Sequence, residues 1–556
     1  MLLIKPNETA PCFSSFISPA HLPTLMLMIG FPLFWLEMYV LSHPPGQTTP
    51  LSWLLFLGIL LFLIVEKRKK KTGFNLGSVG PSRWSTLGRF ERTWLLTTGG
   101  LVLLILFLGT YASFLPPHLP QEEDALNYHI MLPRQHLILH SFRHIPWSTA
   151  DLFPLPVQFA LAPFWLATDL PNKLPQFIFL LGLIGVCLNL LQRFGRDFFW
   201  GSALLIAALA GSRGFTIQMG TAMLDLILAY LFLAALDSLF SGRWILAAVE
   251  FIFFFYSKSF IPAQILVTVL ILAGLFFLLK KLGGQSSFFA EQTSTRESMS
   301  VLKSHLKKAG ILFVFGSFLI GGPFLMKSLY YAGTPLYPFF PGLIKTRPVG
   351  EDSIKSQSLL RASQDLVHYK DTYGQGRSLK SFLQHWWLVA VPQKGVVNQF
   401  DYPLGLPYLL FLGSFFVSLW QRLKNKEAPL MPILAMVFWI LWWFSSQQSR
   451  FLYIPLLLMF ISVTAQIVSP PRVLLVCLLL ALGANAFSVF RAHRDDFCKP
   501  VSLILRNKDR ALLRINEQYF REKRTGPVEM NDADVAFAQF PVDIHREQFP
   551  FIIRYE

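Results

Sequence analysis

Charge is scarce in this chain of 556 residues: 15% of them are charged, and acids are the rarer sign, 32 Asp and Glu against 49 Lys and Arg. A soluble domain covers its core with polar surface, and a chain that is 53% hydrophobic with a mean hydropathy of +0.47 has too little polar material for that. Cysteine is rarer still. Cys12, Cys187, Cys477 and Cys498 show neither metal-ligand spacing nor a disulfide framework. A cleavable signal pattern is also missing, since Lys5 is the only early positive charge and Glu8 follows it. The basic surplus does not point to nucleic acid. It collects in short connections beside apolar segments, Glu66-Lys-Arg-Lys-Lys-Lys71, Lys280-Lys281 and Gln421-Arg-Leu-Lys-Asn-Lys426, where it sets membrane topology.

Long apolar runs fill the room that charge leaves, and 54 Phe, 14 Trp and 15 Tyr supply rings to pack between helices and anchor at a bilayer interface. A span needs about 20 apolar residues at roughly 1.5 Å rise each. Candidates fall near 21–41, 51–65, 94–115, 175–191, 198–211, 216–239, 243–257, 259–279, 309–330, 403–420, 430–444, 450–468 and 472–490. The expected fold class is an all-α polytopic membrane protein of about thirteen transmembrane helices, with interfacial helices in its external loops. The segment 152–168 is the exception. It carries Pro154, Pro156 and Pro163 and would reach only about 25 Å as a helix, against a hydrocarbon core of about 30 Å. If it does not cross, the basic loops at 66–93, 192–197, 280–308 and 421–426 all fall on the cytoplasmic side; if it crosses, three of the four fall outside. We therefore expect a membrane-surface or re-entrant helix there, the N-terminus inside and the C-terminus outside.

That topology gathers chemistry on one face. The run Glu122-Glu123-Asp124-Ala-Leu-Asn-Tyr128-His129 lies just past an apolar segment, in an external loop. Carboxylates beside a bilayer are costly unless they meet water, a metal or a cation. The 331–402 loop and the tail from 491 share that face, as do Arg213, Lys258 and Arg450 at outer helix ends, with Asp225 in the outer half of its own helix. Asp225 inside an apolar helix costs about 2.5 to 3.5 kcal/mol, so it calls for a cation, and a structural pair with Arg213 or Lys258 competes with a catalytic role. Arg450 could bind a phosphate through two parallel hydrogen bonds or simply end a helix at the interface. His129 could serve the acidic loop by hydrogen bonding alone. His136, His140 and His144 recur every four residues, a metal-compatible spacing on one helix face, although an interfacial helix with polar positions is the better reading.

Several motifs occur in an order that resembles the GT-C glycosyltransferases of bacteria, the superfamily of the protein O-mannosyltransferases and lipid A aminoarabinose transferases. Asp124-x-x-x-Tyr128-His129 followed by Leu132-Pro133-Arg134 is similar to their first external loop, and Thr221-Ala-Met-Leu-Asp225 to their Asp-bearing helix. Gln192-Arg-Phe-Gly-Arg196 is similar to their short basic turn and Tyr256-Ser-Lys258 to their helix break. Gly333-Thr-Pro-Leu-Tyr-Pro-Phe339 and Arg450-Phe-Leu-Tyr-Ile-Pro455 complete the series, which spans about 94–470. The resemblance implies an enzyme of the plasma (inner) membrane that moves a sugar from a polyprenyl-phosphate donor to an envelope glycan, lipid or protein, with inversion, at the periplasmic or external face.

Under that reading an acceptor hydroxyl needs a base, for which Asp124 is the first candidate and Glu123 the second. Tyr128, His129, Arg213, Asp225, Lys258 and Arg450 are the substrate-binding candidates, with Arg450 first for the departing phosphate. The sequence makes no cofactor certain and leaves metal dependence open, since Glu122, Glu123 and Asp124 could hold Mg²⁺ or Mn²⁺. The chain departs from the family in two respects. Its first 93 residues form an added hairpin and a basic cytoplasmic loop ahead of the core at 94–490, with external loops 116–174 and 331–402, and Ala125 stands where a second acid often follows the first. The tail 491–556 is expected to be a small external unit. The competing classes are a transporter or flippase of lipid-linked saccharides, which should show internal repeats and mid-membrane charges, and an inactive scaffold of the same fold.

Overall fold

Proline and glycine punctuate the helices. Pro23, Pro175 and Pro323 stand in first turns, where a missing N–H loses no hydrogen bond. Asp197 caps its helix by accepting from the amides of Phe199 and Trp200. The structure, a computed structural model, describes residues 18–41, 48–69, 81–114, 124, 128–145, 149–165, 173–258, 261–281, 296–335, 337–338, 373–391, 400, 402–424 and 430–497. Glu122, Glu123, Asp401, Cys12, Cys498 and the tail beyond 497 lie outside the described residues.

In chain order the main helices are α1 (Leu22–Tyr39), α2 (Thr49–Lys69), α3 (Arg89–Ser113), α4 (Met131–Leu139), α5 (Pro156–Trp165), α6 (Leu174–Phe194), α7 (Phe198–Gly211), α8 (Arg213–Ile217) and α9 (Asp225–Phe240). They continue as α10 (Trp244–Tyr256), α11 (Ile261–Lys281), α12 (Arg296–Ile320), α13 (Gly322–Ala332), α14 (Leu379–Leu388), α15 (Leu406–Lys424), α16 (Leu430–Phe444), α17 (Tyr453–Thr464) and α18 (Arg472–Phe497). Among the described residues there is no strand, so the fold is all-α.

Among the described residues, five helices are long and apolar enough to cross a membrane: Pro19–Tyr39, Arg89–Ser113, Leu174–Phe194, Leu406–Lys424 and Arg472–Arg491. A sixth is formed if Ser304–Ile320 and Gly322–Ala332, bent by 52°, count as one span. Shorter apolar helices at Thr49–Ile64, Phe198–Gly211, Trp244–Tyr256, Leu430–Phe444 and Ser449–Thr464 accompany them. The apolar run 216–239 is not one helix. It breaks at 218–224, where Gly220 takes φ 72° and its turn presses on the end of α3; a Cβ there would stand 2.6 Å from the Gly109 carbonyl oxygen.

Helix α9 is the most enclosed part of the bundle, with Asp225 to Ala235 all buried against α6 and α10. Helix α1 packs on α5, α18 on α3 and α7, and α16 on α17. Burying apolar surface against protein instead of lipid gains little in a bilayer, so close packing and buried polar pairs hold such a bundle together. The approach of the N-terminal segment illustrates this: Gly182 and Gly185 of α6 admit Pro23 and Ala20 where added Cβ atoms would meet them at 2.4 and 3.0 Å.

Contacts between turns sort the helix ends into two sets. At the first end His21 meets Asp237 and Glu250, Arg193 donates to the Phe240 carbonyl, and Trp94 donates to the Leu475 carbonyl. At the second, the Lys173 amide donates to Ser113, Ser212 to the Leu404 carbonyl, and His140 to the Met38 carbonyl. The chain therefore leaves the second end at Ser113 and returns there at Lys173, with α4 and α5 between. All ten residues of α5 are buried within the protein.

Candidate active site

Four stretches of chain deliver charge to the second end. Asp225 opens α9 at the break that Gly220 permits. Lys258 follows the last turn of α10, Arg450 stands in a 3₁₀ turn (Ser449–Leu452) ahead of α17, and Asp124 and Tyr128-His129 come from the loop after α3. Ser212 bonded to the Leu404 carbonyl and Thr216 bonded to Asn485 tie down the α7–α9 connection that carries Asp225.

Two ion pairs result. Lys258 Nζ donates to Asp225 Oδ1 at 2.6 Å, and Arg450 Nη1 donates to Asp124 Oδ2 at 2.9 Å. The two cations share one aromatic ring, since Lys258 Nζ lies 4.4 Å and the Arg450 guanidinium carbon 5.4 Å from the centroid of Phe451. Asp225 is closed to solvent, with its side chain 3% exposed, whereas that of Asp124 is 27% exposed. Water therefore screens the outer pair more than the inner one. A cavity of about 40 Å³, room for a few water molecules, opens beside them, lined among others by Asp225, Gln264, Trp442, Arg450, Phe451 and Tyr453.

Three glutamines support the charged groups. Gln218 Nε2 donates to Asp225 Oδ2 at 3.0 Å, Gln448 Oε1 accepts from Arg450 Nε at 3.0 Å, and Gln158 Nε2 lies 3.2 Å from His129 Nδ1. Burial, helped by the positive charge of Lys258, lowers the His129 pKa to about 3, so this imidazole is neutral at physiological pH. Removal from water and the neighbouring Asp124 carboxylate raise the Tyr128 hydroxyl well above its ordinary range, and that hydroxyl hydrogen-bonds Asp124. Tyr128 thus stays a donor.

Of the residues that the sequence singles out, Asp124, Tyr128, His129, Asp225, Lys258 and Arg450 come together here. Arg213 does not. It opens α8 exposed to solvent, and among the described residues it has no ion pair; the partner of Asp225 is Lys258. Among the described residues no group of three or more His, Cys, Asp or Glu is arranged to hold a metal, and Glu122 and Glu123 fall outside them.

The histidine spacing at 136, 140 and 144 does not form a helical stripe. Helix α4 ends at Leu139, and His140 turns the chain with φ 45°. His136 and His144 instead converge on Asp151, at 2.6 and 3.1 Å, and Lys327 of α13 joins at 2.7 Å. Burial alone would raise the Asp151 carboxyl, but the two imidazoles that hydrogen-bond it and the Lys327 ammonium hold it well below the usual range. Asp151, which no sequence motif marks, thereby clamps the segment after α4 to α13. Adjacent Trp386 and Trp387 of α14 face different surroundings: Trp386 stacks on Trp439 at 4.7 Å while Trp387 is exposed. His385 beside them accepts from Trp439 Nε1 at 2.8 Å, and burial lowers its pKa to about 4.

Chemically, the site holds one carboxylate open to solvent, a second carboxylate closed off, two cations and a neutral imidazole beside a small, largely apolar cavity. It can accept a proton at Asp124 and stabilise an anion at Arg450 and Lys258. No protein-family model matches the chain, and no curated protein and no solved structure is similar enough to count as a match.

Proposed function

We propose that this protein is an integral-membrane glycosyltransferase that moves a sugar from a polyprenyl-phosphate donor to an envelope lipid, glycan or protein acceptor, with inversion. What carries the reading is the pairing of Asp124 with Arg450 beside the pair Asp225–Lys258, four groups from four separate stretches of chain gathered next to one cavity. A base and an anion site are the two things this reaction needs. The reading also takes about thirteen crossings, many by short or bent helices, a location in the plasma (inner) membrane, and the second end of the bundle as the periplasmic or external face.

In this mechanism the donor phosphate takes over the guanidinium of Arg450, which releases Asp124 from its ion pair. The freed carboxylate accepts the proton of the acceptor hydroxyl as its oxygen attacks the anomeric carbon. The bond from that carbon to the phosphate oxygen breaks, and its electron pair leaves with the lipid phosphate. Arg450 and Lys258, fixed on the ring of Phe451, meet the charge that develops there. Asp225 holds Lys258 in place, and Tyr128 orients Asp124. Mg²⁺ or Mn²⁺ at Asp124 with Glu122 and Glu123 remains an accessory option within the proposal.

The test is the mass profile of envelope lipids, polysaccharides and glycoproteins from cells lacking the protein, rescued with the wild-type or the Asp124→Asn chain. Loss of one sugar mass, restored by the wild type alone, supports transfer and identifies the acceptor. Equal rescue by both chains removes Asp124 as base and with it this mechanism.

A further inference from the structure

The charged groups of the site are all paired, but their supporting glutamines are not all spent. Gln158 Oε1, Gln218 Oε1 and Gln448 Nε2 are buried and have no hydrogen-bond partner among the described residues. The three side chains are 0%, 4% and 1% exposed, so bulk solvent does not satisfy these atoms. Unpaired buried polar groups are rare in folded proteins, because each forfeits the hydrogen bonds it made to water. None of the three lines the cavity itself, but Gln218 and Gln448 brace charged residues that do, and Gln158 braces His129 beside the same charged cluster.

The orientation of two of these amides follows from their partners. A carboxylate only accepts, so Gln218 must give its N–H to Asp225 and keep its carbonyl; a guanidinium only donates, so Gln448 must give its carbonyl to Arg450 and keep its N–H₂. Asp225 and Arg450 both line the cavity. Each unspent atom therefore stands within one amide width of a cavity-lining charge, one an acceptor and one a donor. Gln158 repeats the pattern at His129, with its carbonyl oxygen left over.

We propose that Gln158, Gln218 and Gln448 form the subsite that reads the hydroxyl groups of the sugar ring, while Arg450 and Lys258 take the phosphate. This rests on the transferase reading above. A ligand facing these amides has to donate to two carbonyl oxygens and accept from an N–H₂ group. An anion meets the carbonyls badly and a cation meets the N–H₂ badly, whereas a hydroxyl does both. The amides are also neutral, so they discriminate among sugars without competing for the phosphate. A site built to bond a hydroxyl rejects a ligand that lacks it, because the buried amide is then left unpaired again.

The test uses the full chain in lipid nanodiscs and compares binding of undecaprenyl phosphate with binding of undecaprenyl phosphosugars carrying glucose, mannose, galactose or arabinose. The readout is the ratio of the two affinities, which cancels any effect on the phosphate alone. Wild type is expected to prefer one phosphosugar lipid over the bare lipid by about tenfold or more. Gln448→Glu keeps the acceptor for Arg450 and loses the spare N–H₂, while its added charge acts on the phosphate and so falls out of the ratio; Gln218→Met and Gln158→Met keep side-chain length and lose the amides. Each is expected to lower the preference by about tenfold, and the two methionine variants keep the test informative if the glutamate variant fails to fold. Variants that retain the full preference, or a wild type with none for any of the four sugars, overturn the subsite and leave the phosphate site intact. A wild type that binds neither kind of lipid overturns the transferase reading itself.

Discussion

Asp225 and Asp237 stand at opposite ends of α9, both buried and both in ion pairs, yet their surroundings differ in one decisive respect. Asp237 is met by His21 at 2.9 Å, Asn189 at 3.0 Å and Arg243 at 3.1 Å, and the neighbouring Glu250 by His21, Thr24 and Ser238. No unpaired side-chain atom belongs to any of these residues. Around Asp225 the charges are paired just as closely, but two amides that brace them keep an unspent atom and a cavity opens alongside. A saturated polar network needs nothing further and behaves as structure; an unsaturated one has capacity left for a ligand. His21, with a carboxylate at each ring nitrogen, fastens the first helix to α9 and α10 and shows what the saturated kind is for.

The sharpest way to break this contrast is to remove a charge at each end. Asp124→Asn should lower transfer by about a hundredfold or more and leave thermal stability within a few degrees of wild type, measured by turnover in reconstituted membranes and by unfolding in detergent. Asp237→Asn or His21→Ala should do the reverse. Leaving one member of a buried pair uncompensated costs about 3 to 5 kcal/mol of stability, while the protein that does fold should keep its turnover. If Asp237→Asn abolished turnover in folded protein, the distinction between the ends would fail.

Acid sharpens the comparison further. His129 stays neutral down to about 3, whereas an unfolded histidine protonates near 6.5. Between these values the unfolded chain binds more protons, so stability falls as pH drops below about 6.5. On the order of 2 kcal/mol should disappear between pH 7 and 4.5 from this group, and His129→Gln should flatten that part of the unfolding-versus-pH curve. Asp151 acts in the same direction at lower pH, since its depressed carboxyl stabilises the fold above the ordinary value of 3.8 and that contribution is lost as pH falls below it. The smallest effect belongs to Arg213→Ala, which should change stability by less than about 0.5 kcal/mol and turnover by less than about twofold, because the residue is exposed and unpaired among the described residues.

Much of the site is legible in the sequence because its members carry charge in an apolar background, where each ionisable residue demands a partner. Asp124, Asp225, Lys258 and Arg450 are visible for that reason, and the structure joins them as two pairs. The glutamines are not visible, since an amide costs far less to bury and no spacing sets Gln158, Gln218 or Gln448 apart from the others. Asp151 is hidden at the edge of a proline-rich stretch, and its histidines read as a helical stripe until the left-handed turn at His140 is known. Apolar runs give the helices correctly but not their breaks. The break at 218–224 and the bend between α12 and α13 depend on Gly220, Gly321 and Pro323, whose effects are set by close contacts, such as that of Gly220 with α3. Among the described residues, five helices pass on length and apolarity, or six with the bent pair, and shorter apolar helices accompany them.

The most direct measurement incubates purified wild-type and Asp124→Asn protein in nanodiscs with a panel of polyprenyl phosphosugars and an envelope extract from cells lacking the protein, and follows each donor by mass spectrometry. Conversion of one donor to bare polyprenyl phosphate by the wild type, with about one hundredth of that rate or less in the variant, is the predicted result. Equal conversion by both proteins, or none of any donor by the wild type, would contradict it.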